Sequence, residues 1–130
     1  MWMLDRRQIC DTVRNFPFSR DTFWLVMGGA LVIYGIRDFT NDIDIGCTEG
    51  LFNQLKEEGY ETHLSKSGLI RIDYSQVVHI YKNWMVDRIN YIDDCPVSDL
   101  ESIIKIKNQF GREKDIEDIA LIFQYQERYK

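Results

Sequence analysis

The segment Asp42-Ile43-Asp44-Ile45 leaves this chain the least freedom. Strict polar–apolar alternation spells a half-buried strand, because successive side chains on a strand point to opposite faces. Ile43 and Ile45 are then assigned to a core, and Asp42 and Asp44 share the opposite face. Two carboxylates so placed repel, and each raises the other's pKa unless a cation lies between them. Mg²⁺ suits that position, since it takes hard oxygen ligands together with substrate phosphates.

Upstream stands Gly28-Gly29, separated from Asp42 by twelve residues. It follows Phe23 to Met27, an aromatic and aliphatic run that reads as a buried strand. Ala30 to Tyr34 has no period-2 alternation and reads as the start of a buried helix that stops near Gly35. Glycine lets backbone approach a phosphate and adopt unusual dihedrals. A helix beginning there would turn free N–H groups and the positive end of its dipole toward an anion. Strand, double glycine, helix and Asp-x-Asp strand form a coherent platform for a triphosphate with its metal.

The remaining elements follow from periodicity and punctuation. Residues from about 3 to 15 read as a helix ended by Pro17, and Leu51 to Gly59 as a short helix. Thr62 to Leu64, Leu69 to Ile72, Val77 to Tyr81 and Trp84 to Tyr91 read as strands, with a turn at Lys66-Ser67-Gly68 and the region closed by Asp93 to Pro96. Ser98-Asp99-Leu100-Glu101 has the capping-box pattern ahead of the helix carrying Ile103, Ile104 and Ile106. Gly111 breaks that helix. Ile116, Ile119, Ala120 and Phe123 mark the apolar face of a last one. The order predicts an α+β fold with a mixed β-sheet, flanking helices and two C-terminal helices. The 130 residues fit one domain, with a core over 1–96 and a helical part over 97–130.

Composition narrows the function. A formal net charge of −5 argues against sequence-blind binding to nucleic acid, though not against a local basic groove. The longest apolar run, Phe23 to Ile36, is shorter than the roughly 20 residues a membrane-spanning helix needs, so no membrane role is expected. Cys10, Cys47 and Cys95 are widely spaced and odd in number, which reads as reduced thiols in a cytoplasmic protein. His63 and His79 have no Cys or His at ligand spacing and read as structural. No Ser-His-Asp or Cys-His arrangement stands out.

Gly28-Gly29 with Asp42-Ile43-Asp44-Ile45 at this spacing resembles the signature of the DNA-polymerase-beta-like nucleotidyltransferase superfamily. The stretch Gly28-Gly29-Ala30-Leu31 through Gly35-Ile36-Arg37 to Thr40-Asn41-Asp42 is similar to a bacterial branch with abortive-infection toxins and antibiotic nucleotidyltransferases. The run from Lys107 through Gly111-Arg112, Lys114-Asp115 and Asp118 is similar to the one closing the domain in that branch. The resemblance implies a nucleotidyltransferase-type fold. It also implies transfer of a nucleoside monophosphate from a Mg²⁺-bound nucleoside triphosphate, such as ATP, to a hydroxyl, with release of pyrophosphate. Asp42, Asp44 and a third acid would hold two Mg²⁺ ions. The resemblance places that acid at Asp87, with Asp73 as the rival. Gly28, Gly29, Arg37, Thr40, Lys107 and Arg112 would contact the nucleotide; Arg37 reads equally as a loop cation and Thr40 as a turn residue. Lys114, Asp115 and Asp118 read as salt-bridge formers. The acceptor is open between a small molecule and tRNA. The chain is short for this family. The alternative is therefore a non-catalytic nucleotide-binding or regulatory component, such as a toxin–antitoxin partner, acting as a homodimer or with another protein.

Overall fold

The computed structural model describes residues 3–66 and 68–129. Ser67, in the predicted turn, lies outside them. The chain runs β1 (Leu4–Asp5), α1 (Arg6–Arg14), β2 (Phe23–Val26), α2 (Met27–Tyr34), β3 (Phe39–Thr40), β4 (Ile43–Cys47) and α3 (Glu49–Glu57). It continues with β5 (Thr62–Leu64), β6 (Ile70–Asp73), β7 (Val78–Lys82), β8 (Ile89–Ile92), β9 (Cys95–Ser98), α4 (Leu100–Phe110) and α5 (Glu113–Arg128). The fold is α+β. Its main sheet has the order β5-β6-β7-β4-β2-β9-β8 and is mixed: β4 runs parallel to β7 and β2 parallel to β9, while the other pairs are antiparallel.

Register sorts the residues of this sheet onto two faces. Ile72, Ile80, Ile45, Leu25 and Val97 are ladder partners across β6, β7, β4, β2 and β9, and each is no more than 1% exposed. Side chains of α1, α2 and α3, among them Ile9, Val13, Leu31, Ile33, Phe52 and Leu55, join that row in one core. Burying this apolar area is what holds the sheet in a single register, because a slip of one residue would turn every side chain over.

The opposite face carries two adjoining rows, Asp73–His79–Asp44–Val26 and Arg71–Tyr81–Gly46–Trp24. Gly46 is needed in the second. A Cβ there would lie 2.3 Å from Trp24 Nε1, which donates to the Trp84 carbonyl at 3.0 Å. Trp24, Val26, Met27, Tyr81 and Trp84 make a second, smaller core on this side.

Several boundaries differ from the expectation. Asp5 caps α1 through a capping box with Gln8, so the helix starts at Arg6 and Leu4 pairs with Thr40 instead. The strand expected over Trp84 to Tyr91 is confined to Ile89–Ile92, leaving Asp87 in the connection before it. Asp93 (φ 49°) and Asp94 (φ 66°) form the two-residue hairpin turn from β8 into β9, a turn that requires positive φ at both positions. The cap of α4 is Asp99 rather than Ser98: its carboxylate accepts from the Ser102 N–H at 3.2 Å and the Arg88 N–H at 3.0 Å. In α5 the buried residues are Asp115, Asp118 and Ile122, while Ile116 and Phe123 are 62% and 55% exposed. Of the apolar stripe expected there, Ile116, Ala120 and Phe123 are exposed and Ile119 is half-buried. No helix among the described residues is long and apolar enough to cross a membrane, and the three cysteines are buried free thiols.

Candidate metal and nucleotide site

A cleft of about 810 Å³ opens over the polar face of the sheet. β4 contributes Asp42, just before its first residue, and Asp44; the β2–α2 junction contributes Met27 and Gly28; β3 and the loop before it contribute Thr40 and Arg37. The β5–β6 hairpin adds His63, Lys66 and Arg71, and the C-terminal helices add Lys107, Arg112, Lys114 and Asp118. Tyr81, Trp84 and Phe110 form an aromatic wall.

Asp44 is the most perturbed of these groups. Burial first, and the Asp42 charge second, push its carboxyl up to about 7, against the pull of His79, Arg71 and Lys114. Its Oδ1 is buried and has no hydrogen-bond partner. A buried carboxylate oxygen without a donor is costly. A divalent cation between Asp42 and Asp44 would satisfy it and relieve the repulsion, so the residues present fit such an ion.

Of the glycine pair, Gly28 lines the cleft, whereas Gly29 is buried against Leu25. Neither glycine uses its freedom to adopt positive φ; Met27 does, at φ 55°. Gly28 is required for a different reason. A Cβ there would lie 2.4 Å from Thr40 Oγ1. The first turn of α2 has no side-chain cap, so its leading N–H groups are open to a ligand.

Lys107 is 2% exposed and held by Asp118 at 2.9 Å and Asp115 at 3.4 Å. Arg112 binds Asp115 at 2.6 Å and lies 5.0 Å over the Phe110 ring, and Arg37 lies 3.7 Å from Asp118. Burial works against the Asp115 charge, but the Arg112 hydrogen bond and the Lys107 charge keep its carboxyl low. Lys107 is thus clamped between two carboxylates, while Arg37 and Arg112 keep exposed faces toward the cleft.

Asp87 does not join this set. Its carboxylate is exposed and 2.7 Å from Lys105 Nζ, its N–H donates to Ser102 Oγ at 2.8 Å, and it is absent from the cleft lining. Asp73 lies on the polar face two strands from Asp44, reached through His79. Sequence reasoning passed over Arg71, read Lys66 as part of a turn and read His79 as structural. For Arg71 and His79 the only signal was position on strands of unknown register, and Lys66 lies in the turn between β5 and β6.

No protein-family model matches the chain, and no curated protein matches it. Two solved Helicobacter pylori structures resemble it, each at TM-score 0.42 over 78% of this chain: JHP933, 19% identical, and a protein described as a "putative nucleotidyltransferase", 20% identical. The chain spans about half the length of each, 52% and 53% respectively.

Proposed function

We propose that this chain binds a nucleoside triphosphate with Mg²⁺ and transfers its nucleoside monophosphate to a hydroxyl acceptor, releasing pyrophosphate. The observation that carries the reading is Asp44: half-buried, with one buried and unpartnered oxygen, two residues after Asp42 and facing a cleft rich in cations. Asp42 and Asp44 would hold the metal. A bound Mg²⁺ would neutralise charge on the phosphates and the departing pyrophosphate. Gly28 would let the phosphate chain approach the first turn of α2, and Arg37, Arg112, Lys66 and Lys114 would hold its outer oxygens. The base would lie against the Trp84–Phe110 wall. Most of the acceleration would come from positioning and preset charge.

The expected outcome with purified protein, Mg²⁺ and each NTP is pyrophosphate release that depends on an offered acceptor, and its loss in Asp44→Ala. Equal release from that variant would refute the assignment. An aminoglycoside-like hydroxyl compound and a tRNA 3′ end are the two acceptor classes to offer. A steep loss of binding with salt would favour the RNA.

A second reading is favoured by one observation: Asp87 lies outside the cleft. On that reading the chain is a nucleotide-binding or regulatory component, working as a homodimer or with a partner such as the other half of a toxin–antitoxin pair. Nucleotide binding without pyrophosphate release, whatever acceptor is offered, would decide for it.

A further inference from the structure

The ladders set His79 beside Asp44 and Asp73 beside His79, in one row on the polar face. His79 Nδ1 is 2.7 Å from Asp73 Oδ1, and Nε2 is 3.9 Å from Asp42 Oδ2. A carboxylate only accepts, so Nδ1 carries the proton that is donated to Asp73. Nε2 then turns its lone pair toward Asp42, and Asp44 is the ladder partner of His79 on the same face. Carboxylates orient metal-binding imidazoles in this way, fixing tautomer and ring direction from behind. Asp73 Oδ1 also lies 3.0 Å from Arg71 Nε, whose N–H donates to His63 Nε2 at 3.0 Å, so the guanidinium charge sits against the carboxylate.

The orphaned Asp44 Oδ1 is an independent sign that this corner lacks a partner the protein itself does not supply. Among the described residues no three such donors already meet at a single point. Asp42, with its side chain 47% exposed, has room to turn and close the gap.

We propose that His79 is the third protein ligand of the divalent ion held by Asp42 and Asp44, that Asp73 positions its imidazole, and that the site therefore prefers a first-row transition ion to Mg²⁺. The proposal rests on the reading of the cleft as a metal–triphosphate site. Its physical basis is that Mg²⁺ favours an all-oxygen shell, whereas transition ions accept mixed imidazole and carboxylate sets.

Mn²⁺ alone, added to the intact protein at fixed pH, is the probe. Pulsed EPR should show a directly bound ¹⁴N nucleus, and competition should show Mn²⁺ binding about tenfold or more tighter than Mg²⁺. His79→Gln should abolish the nitrogen signal and weaken Mn²⁺ binding. Asp73→Asn should keep the signal and weaken binding about tenfold. His79→Asp should bind Mn²⁺ without the signal and narrow the gap to Mg²⁺, a result that a purely structural histidine would not give. The wild-type spectrum is decisive even where a variant fails to fold. Mn²⁺ binding that needs Asp44 but shows no nitrogen coupling would overturn this inference and leave the cleft reading standing. No Mn²⁺ binding to the wild type would overturn both.

Discussion

Asp44 concentrates the chemistry of the site in one side chain. Its carboxyl sits near 7 in the fold against 3.8 for the ordinary group, because burial and Asp42 both disfavour its charge. Between those two values the folded chain keeps a proton that the unfolded chain has released. Metal-free stability from this group is therefore greatest below about pH 4, falls as pH rises to about 7 and is level above it, a loss of up to about 4 kcal/mol. Denaturant titrations in EDTA at pH 5 and pH 8 should show Asp44→Asn gaining on the wild type at the higher pH. An unchanged difference between the two proteins would contradict the burial argument. Gly28 acts by size: with Thr40 Oγ1 2.4 Å from where a Cβ would stand, Gly28→Ala should cost about 1–3 kcal/mol. Thr40→Ala in the same chain should recover part of that cost by removing the hydroxyl, as a denaturation double-mutant cycle would measure.

At the scale of elements, the C-terminal helical pair is joined by charge as well as by hydrocarbon. Gly111, at φ 63°, ends α4 in the left-handed conformation and sends the chain back as α5, which brings Asp115 and Asp118 onto Lys107. Lys107→Met should destabilise the protein by about 3 kcal/mol, because Asp115 and Asp118 would lose their buried counter-charge and keep only the partly exposed Arg112 and Arg37. Asp115→Asn with Asp118→Asn in the same chain should recover much of that loss. Thermal unfolding reads both. This pairing explains why the apolar stripe of α5 misleads: periodicity finds an amphipathic face but cannot say that Asp115 and Asp118 turn inward toward a lysine on the preceding helix. β9 was hidden for another reason. Pro96 reads as a terminator, yet it sits in a buried strand that meets β2 only at Leu25 and Val97, so the missing N–H does little harm. By contrast β2, α2 and β4 were legible, because uninterrupted apolar runs and strict alternation leave few alternative structures. The strand proposed for Asp87 failed because alternation alone does not separate an irregular connection from a strand. Asp87 accordingly stands in that connection, paired with Lys105 and outside the cleft lining.

Across the whole molecule, the cleft exists only once the sheet is assembled in its order. Arg71, His79 and Asp73 come to Asp44 because β7 lies parallel beside β4 and β6 beside β7; no local signal encodes that adjacency. The formal net charge of −5 likewise hid a cleft whose rim gathers Arg37, Lys66, Arg71, Arg112 and Lys114. The most direct test of a metal–triphosphate site is isothermal calorimetry with a non-hydrolysable ATP analogue and Mg²⁺, repeated with Mn²⁺, on the wild type and on Asp44→Asn. One-site binding that disappears in EDTA and in the variant is the predicted result. Absence of binding to the wild type, or equal affinity in the variant, would contradict the account.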